Sequence, residues 1–253
     1  MASSAQTSPL RARETAGPPR LLVAWQDSGS RRIVPVGFLE KVDGGFAFAY
    51  LRRVMDMPGF RPLLGFPDLE RRYVSPMLFP LFRQRLMDSR RPDYHRYLMV
   101  LGLPDDAPAL VVLGRSGGRR AGDSILLLPE PRIDADGRTT SVFFVHGVRH
   151  KSGAESRISS LREGDVLDVR DDSSNPVNHR ALLVTSDGAE LGWVPDLLLD
   201  YVHHVREGGD MVVQVAQVNG PEVPPNLRLR VRLEGLVPPG YLPFRGADWA
   251  SLA

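Results

Sequence analysis

The sequence predicts an α+β fold, mainly β: a small N-terminal α/β subdomain followed by an antiparallel β-barrel with one or two short helices. Three observations carry this. Short apolar, β-branched or aromatic runs recur between turn signals, about every ten residues in the second half. Three- and four-residue apolar spacing is confined to residues 75–103 and to a short stretch near 200. A proline- and charge-rich break, "PEPRIDADGRT" (129–139), divides the two regions. The expected organisation is a tail (1–20), a first domain (21–131), a linker (132–140), the barrel domain (141–235) and a C-terminal extension (236–253).

The first strands are "LLVAW" (21–25), "IVPVGFLEKV" (33–42) and "GFAFAYL" (45–51), the last two joined by Asp43-Gly44-Gly45. Glycine reaches positive φ freely, so that step favours a tight hairpin. In the stretch 75–103, Met77, Leu81, Phe82, Arg85 and Leu86 fall near one helical face, with Ser75-Pro76 as the start. A second helix is expected over Pro92–Leu101, capped by Asp93. "ALVVLG" (109–114) and "SILLLPE" (124–130) read as a buried strand pair. Between them, "GRSGGRRAGDS" (114–124) offers three arginines and backbone amides to a phosphate. It lacks the spacing of a P-loop and leads into no helix, so a solvated hairpin loop is expected.

The second half opens with a strand over "SVFFVHGVRH" (141–150). "ISSLREGDVLDVRDD" (158–172) gives a short helix or turn and a strand, turning at Glu163-Gly164-Asp165. "RALLVTSDGAELGWVP" (180–195) is a hairpin around Ser186-Asp187-Gly188. In "DLLLDYVHHVREG" (196–208), Leu198, Tyr201, Val202 and Val205 repeat at three and four, and Gly208 stops the helix. "MVVQVAQVN" (211–219) and "LRLRVRLEG" (227–235) alternate as half-buried antiparallel strands do.

Composition excludes several classes. With no cysteine there are no disulfides, thiolate nucleophiles or cysteine-bound zinc. No apolar run is long enough to span a membrane, and residues 1–20 lack the apolar segment of a secretory signal, so a cytoplasmic protein is expected. Residues 1–137 carry 20 Lys+Arg against 15 Asp+Glu, and the remainder 12 against 15. The bases are nearly all arginine, lysine standing only at 41 and 151, which suits phosphate recognition or reflects nucleotide bias. His203 and His204 are neighbours and diverge by about 100° on a helix. His146 and His150 share a face if the strand runs through both, and with Asp165 or Asp168 they make a metal site that the spacing does not demand. No nucleophile elbow or kinase loop is present. No enzyme and no cofactor are expected.

Residues 143–205 carry "FFVHGVRH", "LREGDVLDVRDDSSNPVNHRALLV" and "AELGWVPDLLLDYV" in order. As a set, Gly-x-Arg, Gly-Asp, Asn-Pro and Gly-aromatic-x-Pro resemble the HIRAN domain. That resemblance implies an OB-like barrel that grips the 3′-hydroxyl end of single-stranded DNA. It puts Arg149 at the terminal phosphodiester, His150 where a tyrosine supports the end nucleotide, and Asn175-Pro176 in the pocket. Val177 and Asn178 stand where the family has an aromatic and an aspartate, and Asp196 where it has a base. Valine offers no face for base stacking, worth about 1–3 kcal/mol per base, whereas asparagine keeps an acceptor oxygen. Trp193 is the nearby aromatic, and Lys151 completes the implied basic rim.

Residues 21–131, through "VPVGFLEKVDGGFAFAYL", "FPLFRQRLMDSRRPDY" and "YHRYLMVLGLPDDAPALVV", resemble the N-terminal subdomain of HipA-type Ser/Thr kinases. The Pro-Glu step and the kinase core of that family are absent. Two functions follow: binding of single-stranded DNA or a DNA 3′ end, or docking of a protein partner that is kinase-like or ATP-driven.

Overall fold

Short apolar and aromatic runs build two antiparallel sheets, and two glycine-stopped helices pack between them. The computed structural model describes residues 20–252 except 28, 30, 31, 121 and 123. The expected tail therefore lies, but for Arg20, outside the described residues. In the first sheet, β1 (Leu21–Gln26), β2 (Ile33–Val42), β3 (Gly45–Tyr50), β4 (Tyr73–Ser75) and β5 (Ile125–Pro129) take the order β4-β3-β2-β1-β5. The β2–β3 hairpin turns at Asp43-Gly44 as expected, with Gly44 at φ 80°. Its core joins Phe48, Tyr50, Phe66 and Phe82. The Tyr50 hydroxyl donates to Phe66 O and accepts from Leu63 N–H, and burial pushes its pKa up to about 12.

Two expectations for this half are corrected. Ser75 ends β4, pairing with Phe46, and Met77 is exposed. The helix α1 is only Pro80–Arg83, because Pro80 supplies the fixed φ of a first helical position. "ALVVLG" is no strand but belongs to α3 (Ala109–Ser116), which Pro108 precedes and Gly117 ends in the left-handed conformation. A Cβ on Gly114 would stand 2.8 Å from Leu21 and from Pro129, so its absence lets α3 lie on β1 and β5. The other helix, α2 (Tyr94–Leu101), begins after Asp93 as expected. That side chain makes no cap bond and pairs with Arg91 instead.

The second sheet has the order β10-β9-β8-β11-β12-β7-β6. Its strands are β6 (Arg132–Ile133), β7 (Arg138–Phe144), β8 (Val166–Asp171), β9 (Leu182–Ser186), β10 (Ala189–Trp193), β11 (Val212–Val218) and β12 (Leu229–Leu236). Helices α4 (Ala154–Ser160) and α5 (Leu199–Gly208) pack on it through Ile158, Leu199, Val202 and Val205. Residues 132–140, expected as a linker, carry β6 and the start of β7. Asp134 shapes their turn by accepting the N–H groups of Asp136 and Arg138. The expected barrel is not closed: β10 meets the chain beyond β7 at a single bridge, His146–Trp193. Pairing stops there because Gly147, at φ 71°, turns the backbone out of the strand into the 3₁₀ turn Val148–His150.

The halves join through side chains and backbone. Phe144 of β7 packs with Leu98 and Leu101 of α2 and Val112 of α3. The Asn219 amide donates to Val100 O (2.9 Å) and Leu227 O (2.6 Å), and Gln217 donates to Met99 O (2.8 Å). The carbonyls at the end of α2 thereby find partners in the second half. Beyond β12 the chain returns to the first sheet, where Ser251 bridges Leu51, and Phe244 and Trp249 pack against Phe38. Asn219→Ala is expected to lower unfolding free energy by about 1–3 kcal/mol, as two half-buried acceptors lose their donor. Urea unfolding followed by far-ultraviolet circular dichroism measures it.

Candidate nucleic-acid interface

Two glycines decide where the site forms. His146 and Trp193 exchange backbone hydrogen bonds, N–H to O at 2.9 Å and 2.8 Å, across the gap between β7 and β10. A Cβ on Gly192 would collide with His146 O, and one on Gly147 would stand 2.5 Å from Trp193 Cε3. Both residues have positive φ, 143° and 71°. The glycines of "HGVRH" and "ELGWVP" are thus required by the same bridge, which sets residues 147–151 beside Trp193.

Trp193 fixes the next layer. Its indole N–H donates to Asp172 Oδ2 at 2.8 Å, tying β10 to the loop after β8. Lys151 Nζ stands 4.0 Å from the Trp193 ring centroid, a cation–π contact. The same ammonium pairs with Glu190 Oε2 at 2.8 Å, and Arg170 pairs with Glu190 Oε1 at 2.6 Å. Trp193 and Ser174 donate to Asp172 and hold its carboxyl below the usual range. Trp193 is therefore half-buried and already engaged by a carboxylate and an ammonium.

The Asn-Pro loop is built by its own asparagines. Asn175 Oδ1 accepts the N–H groups of Val177 (3.0 Å) and Asn178 (3.1 Å), and Asn178 Oδ1 accepts that of Arg180 (3.0 Å). Side-chain oxygens used this way stabilise turns. The Asn178 oxygen, which the resemblance offers to a terminal hydroxyl, thus already holds a backbone amide. Val177 is 60% exposed.

Arg149 and His150 are both exposed. Arg149 Nε donates to His150 Nε2 at 3.1 Å, which needs that ring nitrogen unprotonated, and among the described residues no carboxylate pairs with Arg149. His146 and His150 do not share a strand face, because the chain leaves the extended conformation at Gly147. The described residues contain no group of three His, Asp or Glu placed to hold a metal. His146 instead lines a cleft of about 60 Å³ between the halves, with Arg119, Phe144, Asp196 and Leu197. Burial and Arg119 lower the His146 pKa to about 4, and burial raises that of Asp196.

The structure thus brings Lys151, Trp193 and, through Asp172, the loop of Asn175, Val177 and Asn178 to one rim, with Arg149 and His150 at the turn beside them. Sequence reading missed Asp172, Glu190 and Arg119. Asp172 and Glu190 lie in the motifs of the second half, where their signal was an acid near an aromatic or a base across a hairpin, and Arg119 lies in the 114–124 stretch expected as a solvated loop.

No family model and no curated protein matches the chain. Two solved structures show weak structural similarity. A protein from Lactobacillus plantarum is 19% identical with a TM-score of 0.32, over 40% of this chain and 99% of that one. The HIRAN domain of human HLTF is 14% identical with a TM-score of 0.31, over 41% of this chain and 83% of that one. No helix among the described residues is long and apolar enough to cross a membrane.

Gly147→Ala is expected to cost about 1–3 kcal/mol from the left-handed backbone, raised further by contact with Trp193. A thermal melt against wild type checks it. The Asp172 tie has a signed pH dependence. Its folded pKa is depressed, so its stabilisation is full above the ordinary aspartate range, about pH 4. It fades as pH falls through the lowered value. The Trp193 indole N–H resonance, followed by NMR from neutral to acid pH, is expected to shift in that window and to lose the transition in Asp172→Asn.

Proposed function

We propose that the chain is a non-catalytic nucleic-acid-binding protein whose second half receives single-stranded DNA at or near a 3′ end. The observation that carries this reading is the convergence of segments distant in sequence, "HGVRH", "DDSSNPVN" and "ELGWVP", around one bridge. Among the described residues, Arg149 has no carboxylate partner there. These are the segments on which the HIRAN resemblance rests.

The acidic balance of this half speaks against phosphate binding only as a sum. Glu190 is engaged by Lys151 and Arg170, Asp171 by Arg206, and Asp172 by the Trp193 indole. Asp187 pairs with Arg157, and Asp200 with Arg180 and His204. These acids are spoken for, while among the described residues no carboxylate meets Arg149, whose Nε donates to His150. Arginine matches the two oxygens of a phosphate in a fixed fork. With Trp193 engaged and Val177 aliphatic, backbone contacts supply most of the affinity and base stacking little, so weak sequence preference follows.

A second reading, a docking module for a kinase-like or ATP-driven protein, draws on exposed Val177 and on the internal use of Asn178. A stoichiometric protein partner without DNA affinity decides for it.

Fluorescence polarisation with labelled oligonucleotides at two salt concentrations tests the proposal. Single strands with a free 3′-hydroxyl are expected to bind more tightly than duplex or 3′-phosphorylated strands, and Arg149→Ala to weaken binding by about 10-fold, the scale of one charge-assisted hydrogen bond. Equal affinity for 3′-hydroxyl and 3′-phosphorylated strands removes the end-specific part. No saturable binding of any single strand at low salt overturns the reading.

A further inference from the structure

Lys151 and Arg170 reach one carboxylate from separate elements. Lys151 follows the 3₁₀ turn Val148–His150, and Arg170 lies on β8 in the same cross-strand row as Trp193, both registered on Leu183. The Lys151 ammonium holds Glu190 Oε2 at 2.8 Å, and the Arg170 guanidinium holds Oε1 at 2.6 Å. Among the described residues, these two cations form ion pairs with Glu190 alone. Asp172 gives its oxygens instead to the Trp193 N–H and the Ser174 hydroxyl. Lys151 is pinned further by the Trp193 ring, and its side chain is 14% exposed against 40% for Glu190. The ammonium is thus fixed more firmly than the carboxylate it holds.

We infer that Lys151 and Arg170 form a seat for one backbone phosphate of the bound strand, and that Glu190 is an internal competitor which the phosphate displaces. This rests on the DNA-binding reading above. A phosphodiester presents two acceptor oxygens on one centre, the same fork that the Glu190 carboxylate offers to its two donors. Exposed ion pairs contribute little to stability, so exchanging one anion for another costs little, and the displaced carboxylate returns to water. Lys151 first, and Arg170 after it, hold the Glu190 carboxyl below its ordinary range, so it stays ionised and competing at neutral pH. Glu190 therefore sets how readily the strand is taken up, and Arg170 joins the interface as a binding residue.

The test is single-stranded DNA affinity, by fluorescence polarisation over a salt series. It uses Glu190→Gln, Asp187→Asn, and Glu190→Gln combined with Lys151→Ala or with Arg170→Ala. Asp187 pairs with Arg157 at the turn of the same β9–β10 hairpin, so its variant also removes one negative charge and frees one arginine. Thermal melts verify that each variant folds, and Glu190→Thr repeats the measurement with a strand-forming residue. Glu190→Gln is expected to tighten binding about 3- to 10-fold, the scale of two exposed ion pairs released, with little change in Asp187→Asn. Its salt slope should steepen by about 0.7, the value for one single-strand phosphate. Either alanine in the Glu190→Gln background should abolish the gain. If Glu190→Gln gains no more than Asp187→Asn, the seat is overturned and the DNA reading stands. A gain that survives both alanines is a field effect of the lost charge and also overturns the seat. If neither wild type nor Glu190→Gln binds a single strand at low salt, the seat and the reading fall together.

Discussion

The two backbone hydrogen bonds between His146 and Trp193 are the constraint on which the candidate site depends. They hold the end of β7 against β10 where the sheet would otherwise leave two open edges, and an unpaired edge is a liability. The bridge forms only because Gly147 and Gly192 carry no Cβ and accept positive φ. From it follow the position of the Trp193 ring, the reach of its indole to Asp172, and the shape of the loop that Asn175 closes. Arg149 lies two residues past Gly147, so the turn that ends the strand also delivers the guanidinium to the rim.

Charge around that rim is organised in pairs. Glu190 bridges Lys151 and Arg170, and Asp171 takes both terminal nitrogens of Arg206. Exposed pairs of this kind are worth little in stability. Their larger effect is to neutralise the carboxylates near Arg149. A net negative half can in this way present a positive edge. The contacts at Val100, Leu101 and Phe144 hold the first half close enough for Gly117 and Arg119 to line one cleft with His146.

Much of this was legible in the sequence, and the remainder was not, for definable reasons. Strands whose apolar residues alternate, such as β11 and β12, and hairpins with a glycine at the turn follow from local rules. Ser186-Asp187-Gly188 closes β9–β10 with Asp187 and Gly188 both at positive φ. "ALVVLG" misled because five apolar residues and a glycine fit a buried strand and a buried helix equally. The deciding features were Pro108 before it and Gly117 after it. The barrel failed to close because one glycine torsion ended β7, which apolar alternation does not report. The role of Asn178 depends on whether its oxygen turns to Arg180 N–H or to solvent, and that is set by loop torsions. Arg119 was visible as an arginine in a glycine-rich loop; that it meets the second half is a tertiary fact.

The central claim is that the bridge assembles Arg149 and the 172–180 loop into one surface for a single strand. An NMR titration of isotopically labelled protein with a short single-stranded DNA tests it most directly. The claim predicts that the Arg149 side-chain resonance, the amides of residues 175–178 and the Trp193 indole shift together along one binding curve. Shifts confined to other surfaces, or an Arg149 resonance unmoved at saturation, would contradict it.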